Sequence, residues 1–164
     1  MKLTLNVLSL LLFITACNTT PCPETDIQHN EAVNHEQLTR EVDELFERTK
    51  TMMADHDVEG LVNRFTTDGK LKLPVSPLIQ GHDALRQNYK ANTELENFKL
   101  DIRTLDVEIS EAGDMAYVVG EFDVSFSTPQ GLVKDSGYTL LVLKRENNSW
   151  KIAAELLSSM PQVQ

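Results

Sequence analysis

The first half of the chain is patterned for helix and the second half for strand. Leu38, Val42, Leu45, Phe46, Met52 and Met53 recur at three- and four-residue intervals, predicting an amphipathic helix from His35 to His56. Asn34 with Gln37 three positions later has the form of a capping box at its start. A shorter helix is expected from Asp57, which can cap it, through Leu61, Val62 and Phe65, with Thr66 to Gly69 as its stop. Leu71 to Pro74 reads as a short strand that its proline places at a sheet edge. Leu78-Ile79 forms another extended piece, and Asp83 to Asn92 a third helix with Ala84, Leu85 and Tyr89 inward.

From Phe98 onward the period is two. Phe98, Leu100 and Ile102 alternate at even positions and Leu105, Val107 and Ile109 at odd ones, so a bulge or sharp bend is expected near Arg103-Thr104. Ala116, Val118, Gly120, Phe122, Val124 and Phe126 mark one buried face, while the other turns polar at Glu121, Asp123 and Ser125. Turns at Gly113-Asp114, Pro129 to Gly131 and Asn147-Asn148 separate long strands in meander order, the last from Trp150 to Ser159. Helices first and a curved antiparallel sheet second make the class α+β. The last strands are apolar on both faces: Tyr138, Leu140 and Val142 against Leu141 and Leu143, then Ile152, Ala154 and Leu156 against Ala153 and Leu157. One face can pack on the helices and the other wants cover, which favours a homodimer through the sheet; a sheet curled over itself is the alternative.

The N-terminus follows neither pattern. Lys2 precedes an apolar run from Leu3 to Ile14, the layout of a secretory signal. About 12 helical residues rise roughly 18 Å against a hydrocarbon core of about 30 Å, so cleavage is expected rather than a membrane span. Ile14-Thr15-Ala16-Cys17 resembles the bacterial lipoprotein box. The resemblance implies a signal over residues 1–16 and a lipid on Cys17. With Asn18 rather than Asp next, it points to the periplasmic face of the outer membrane. Residues 17–34 are polar and Pro-containing and read as a tether, leaving 35–160 as the domain. With Cys17 acylated, Cys22 has no intramolecular partner and is expected to be idle in the tether, the alternatives being an intermolecular bridge or a reactive thiol.

Length and charge narrow the options. The 164 residues have room for one core. The net charge of -10, from 15 basic and 25 acidic residues, argues against nucleic acid as a partner. The four histidines and two cysteines lack ligand spacing, so neither metal nor cofactor is expected.

Three segments carry a wider resemblance: Asp57-Val-Glu-Gly-Leu-Val-Asn-Arg-Phe65, Gln80-Gly-His-Asp-Ala-Leu-Arg86, and Tyr138 to Lys144 with Trp150 to Ala153. With the element order, they make residues 36–159 similar to the nuclear transport factor 2-like superfamily, which includes SnoaL-like and ketosteroid isomerase-like proteins. The resemblance implies a cystatin-like cone, in which a curved antiparallel sheet wraps the three N-terminal helices around an apolar pocket. The isomerase branch uses an aspartate base with a tyrosine and a protonated aspartate. Here the base position falls on Leu73 and the tyrosine on Thr49, and Ser136 to Leu143 contains no carboxylate. That chemistry is not expected, and no catalytic residue is assigned.

Glu155 interrupts an apolar strand. Inside the cone its pKa would rise and it could act as acid, base or ligand anchor; facing outward with Lys151 it would be a paired interface charge. His82, at the start of the third helix, is the other acid or base candidate, with solvent exposure as its alternative, and His56 reads as a junction or surface histidine. Tyr89, Phe122, Phe126 and Tyr138 are expected to line a pocket or fill a core. The expected function is binding of a small apolar molecule or a protein partner by a lipid-anchored envelope protein. The alternatives are a SnoaL-like cyclase, isomerase or dehydratase and a non-catalytic structural dimer.

Overall fold

The computed structural model describes residues 35–161. The expected signal segment, the tether with Cys17 and Cys22, and the Asn34 cap lie outside the described residues. The elements are α1 (His35–Ala54), α2 (Val58–Asn63), β1 (Phe65–Lys72), β2 (Ile79–Gln80), α3 (His82–Thr93), β3 (Glu96–Ile109), β4 (Met115–Thr128), β5 (Gly131–Glu146) and β6 (Ser149–Ser159). The strands form one 6-stranded sheet in the order β2-β1-β6-β5-β4-β3, an α+β arrangement. No helix among the described residues is long and apolar enough to cross a membrane.

Strands β3 to β6 form the expected antiparallel meander. The sheet is not antiparallel throughout, however, because β1 runs parallel to β6. Nearly the whole domain separates these two strands in sequence, so no hairpin constrains their sense. The second helix also ends earlier than its pattern suggests, and the chain enters β1 at Phe65 rather than at Leu71. Thr66 to Gly69 reads as a polar stop, yet Thr67 and Asp68 are merely exposed positions of a strand whose Phe65, Thr66, Gly69 and Leu71 are buried. The expected cap is present: the Asp57 carboxylate accepts the Gly60 amide at 2.9 Å. Asn147 and Asn148, at φ 49° and 64°, make the two-residue turn between β5 and β6, a conformation that asparagine tolerates better than most residues.

The register slips at several points of the sheet, and two of the slips decide which side chains face inward. In β3 the register slips between Thr104 and Asp106, close to the parity change. The extra residue is Leu105, which is half exposed and does not join Val107 on the buried face. A second slip lies between Val142 and Leu143, where Ala154 and Ile152 are the partners and Ala153 is passed over. It changes the parity of β6, so Ile152 and Glu155 are both buried while Leu156 is exposed. The expected grouping of Ile152, Ala154 and Leu156 on one face is therefore corrected.

The stripe of α1 packs as its spacing requires. Leu38, Val42, Leu45, Phe46 and Met53 join one core with Val107, Val118, Leu141, Leu143 and Ile152. Each such side chain contributes about 1.5–3 kcal/mol through burial. Gly120 makes room for this helix, since a Cβ there would lie 3.0 Å from the Thr139 methyl and 3.5 Å from the Phe46 ring.

Candidate functional site

At the far end of the sheet the helices do not fill the concavity. A cavity of about 410 Å³ remains between α1, the α2–β1 junction, α3 and the inner faces of β3 to β6. Leu71, Leu73, Phe98, Leu100, Ile102, Phe122, Val124, Phe126 and Leu157 supply its apolar wall. Its deep end holds four polar side chains, Thr49, Arg64, Tyr89 and Glu155, all nine-tenths or more buried.

Each comes from a different element. Thr49 lies on the inner face of α1, and Tyr89 on the buried face of α3 beside Leu85. Arg64 is the C-cap residue of α2. Leu61, Val62 and Phe65 around it are buried while Asn63 takes the exposed position, and the guanidinium lies inward. Glu155 is turned inward by the β6 bulge.

Arg64 organises the cluster. Its guanidinium donates to the Thr49 hydroxyl and, at 3.1 Å, to the Tyr89 phenol oxygen. The Thr49 hydroxyl in turn donates to the Leu45 carbonyl at 2.7 Å. The guanidinium carbon lies 5.7 Å from the Phe65 ring centre and 5.9 Å from that of Tyr89, within cation–π range. Glu155 accepts a long hydrogen bond, 3.5 Å, from the Thr139 hydroxyl. Burial pushes the Glu155 carboxyl above its ordinary value, against the pull of the Arg64 charge and the Thr139 hydrogen bond. Burial likewise raises the Tyr89 phenol, opposed by Arg64 and reinforced by Glu155. The site therefore combines a permanent cation, a neutral phenol and a carboxyl biased toward its protonated form, enclosed by hydrocarbon.

Tyr89, Phe122 and Phe126 line this cavity, but Tyr138 does not. Alternation along β5 sends Gly137 and Thr139 inward and leaves Tyr138 49% exposed on the outer face, opposite Glu121 and Ser158. His82 is also outside the cavity: its ring nitrogen is 3.2 Å from the Phe65 carbonyl, holding the start of α3 against the start of β1. It is withdrawn as an acid or base for this site. His56, at φ 56°, is an exposed turn residue between α1 and α2. Glu121 takes the Arg103 guanidinium outside the cone. Among the described residues no cluster of three or more His, Cys, Asp or Glu side chains is placed to hold a metal ion. Arg64 is the component that the sequence pattern does not single out. Its only signal is a lone charge, next to Asn63, among the large apolar residues Leu61, Val62 and Phe65.

The SnoaL-like domain profile matches residues 42–162. The chain belongs to the SnoaL-like domain family. Solved structures agree on the fold of this SnoaL-like domain. A nuclear transport factor 2-like protein with a cystatin-like fold from Novosphingobium aromaticivorans superposes with a TM-score of 0.69 at 16% identity, covering 85% of this chain and 94% of that one. A ketosteroid isomerase-like protein from Erwinia carotovora atroseptica gives 0.65 at 21% identity, over 78% and 98% of the two chains. A putative calcium/calmodulin dependent protein kinase II association domain from Xanthomonas campestris gives 0.66 at 20%, over 76% and 89%. No curated protein is significantly similar to the chain. At these identities the structures speak for the fold alone. Thr49 and Leu73, where the isomerase resemblance would put a tyrosine and a base, both line the cavity of this SnoaL-like domain. A threonine hydroxyl and a leucine cannot perform those roles.

Proposed function

We propose that this domain binds a small, largely apolar molecule in the cavity, as an envelope protein held to the membrane by a lipid on Cys17. The observation that carries the binding reading is the cavity itself. Its volume of about 410 Å³ lies in the range of small-molecule sites, and an apolar wall around a few convergent polar groups is their usual construction. The same cavity counts against a structural dimer with a filled cone. Native mass spectrometry of detergent-extracted protein should reveal a co-purified small molecule that is lost on denaturation. An empty protein that no apolar compound stabilises thermally would sink the reading.

The anchor is supported by Ile14-Thr15-Ala16-Cys17, and Asn18 favours the periplasmic face of the outer membrane. A mature N-terminus with an unmodified Cys17 would remove it. A second copy is proposed to cover the outer sheet face, where Met115, Tyr117, Tyr138, Leu140 and Leu156 are each at least 40% exposed. Light scattering showing only monomer at micromolar concentration would reject that pairing.

Glu155 supports a second, catalytic reading as a SnoaL-like cyclase, isomerase or dehydratase. A carboxyl whose pKa is raised by burial, beside a substrate-sized cavity, is suited to proton transfer. In that case Glu155→Gln abolishes turnover while the protein stays folded. Unchanged turnover removes Glu155 from consideration.

A further inference from the structure

We propose that the molecule bound in this cavity is an apolar acid, seated with one anionic group, a carboxylate foremost, on Arg64 and its hydrocarbon against Leu71, Leu100 and Phe122. The proposal rests on the small-molecule reading of the cavity and adds the chemical class of the ligand. Its starting point is an imbalance at the deep end. Arg64 is only 8% exposed, and a guanidinium keeps its charge at any pH the protein meets. A buried charge of this kind costs several kcal/mol unless an anion in contact offsets it.

No such anion touches Arg64. Its hydrogen-bond acceptors are the neutral oxygens of Thr49 and Tyr89, and its Nε has no partner. Glu155 interacts with Arg64 through its charge but accepts its hydrogen bond from the Thr139 hydroxyl. Asp135, the other acid on the cavity wall, is taken up by the Ser136 amide at 2.9 Å and the Ser159 hydroxyl at 2.7 Å. Two hydroxyls and two aromatic rings thus fix the guanidinium in place without neutralising it. That is an anion receptor rather than a completed ion pair. Apart from Asn88, Asn92, Asp135 and Ser159, the rest of the wall is hydrocarbon, so an inorganic ion would leave most of the cavity unmatched, whereas an amphipathic acid satisfies both parts.

The test compares 2-naphthylacetic acid with 2-naphthylacetamide, which differ little except in charge. Both are titrated calorimetrically at pH 7.5 into the purified full chain and into the same detergent solution without protein. The acid is expected to bind at least about tenfold more tightly, and Arg64→Met to erase that preference while naphthyl binding persists. If Arg64→Met does not fold, the acid-to-amide ratio on the unaltered protein decides. Equal affinities, or a preference for the amide, overturn the acid class and leave small-molecule binding standing. Binding of neither compound up to millimolar concentration overturns both.

Discussion

The two ends of the sheet are equally apolar in sequence and opposite in outcome. Where β3 and β5 finish and β4 and β6 begin, Val107, Val118, Leu141, Leu143 and Ile152 are at most 2% exposed against α1. Where β3 and β5 begin, Phe98, Leu100, Val124, Phe126 and Leu157 face a cavity instead. The difference lies in what opposes the sheet. At the first end the stripe of α1 supplies Leu38, Val42 and Leu45, whereas the second is bordered by the polar cluster around Arg64 and by the loop after β1. Buried charge keeps that volume from being closed by hydrocarbon, since collapse onto Arg64 would desolvate it further. One end is filled by the helix, and the other leaves a cavity open.

The strongest way to break this comparison is to truncate matched residues at both ends. Leu143→Ala removes a fully buried side chain and is expected to cost about 2–5 kcal/mol, measured from urea unfolding. Leu100→Ala enlarges a void that already exists, so no new cavity is added, and the cost should be about 1 kcal/mol or less. Ligand affinity should respond in the opposite order. Equal losses of stability would mean that the second end is packed in solution.

Much of the first end was legible in the sequence, and much of the second was not. The stripe of α1 and the alternation of β4 are strong periodic signals, and the slip at Leu105 shows as a change of parity among large residues. The β6 bulge leaves no such trace. It falls in Ile152-Ala-Ala-Glu155, where two alanines carry no contrast between faces, so Glu155 could be assigned to either side. Arg64 was hidden for a different reason. A basic residue at the end of a helix ordinarily serves the helix dipole in solvent, and only the burial of Leu61, Val62 and Phe65 around it reverses that expectation. Tyr138 has the aromatic character of a pocket residue but the opposite parity to Thr139, so the alternation of β5 turns it outward.

A subtler difference between the ends is the pH dependence that a buried carboxyl gives to the cavity end. The Glu155 carboxyl ionises less readily folded than unfolded because burial raises it above its ordinary 4.5. Between that value and the raised one the folded state holds more protons, so stability falls as pH rises through this window. The groups facing it are Arg64 from the α2–β1 junction, Tyr89 from α3 and Thr139 from β5. Glu155→Gln should remove this slope, being more stable than the unaltered protein at pH 8 and indistinguishable from it at pH 4. A mutant with the same pH slope in denaturant melts would show that Glu155 is not the titrating group.

The smallest expected effect lies at the mouth. Val75, on the cavity rim between Pro74 and Pro77, has φ 49° and a fully exposed side chain. A β-branched residue in the left-handed region is strained by about 1–2 kcal/mol, and exposure gives it no packing in return. The turn is held instead by Ser76, whose hydroxyl donates to the Leu73 carbonyl at 3.0 Å. Asparagine adopts this conformation with less strain, so Val75→Asn should raise stability by about 1 kcal/mol in the same urea series. If stability rises and affinity for 2-naphthylacetic acid is unchanged, the valine is a tolerated irregularity of the loop. If stability rises and affinity falls, the apolar side chain contributes to the mouth, and the strain belongs to the binding end rather than to the fold.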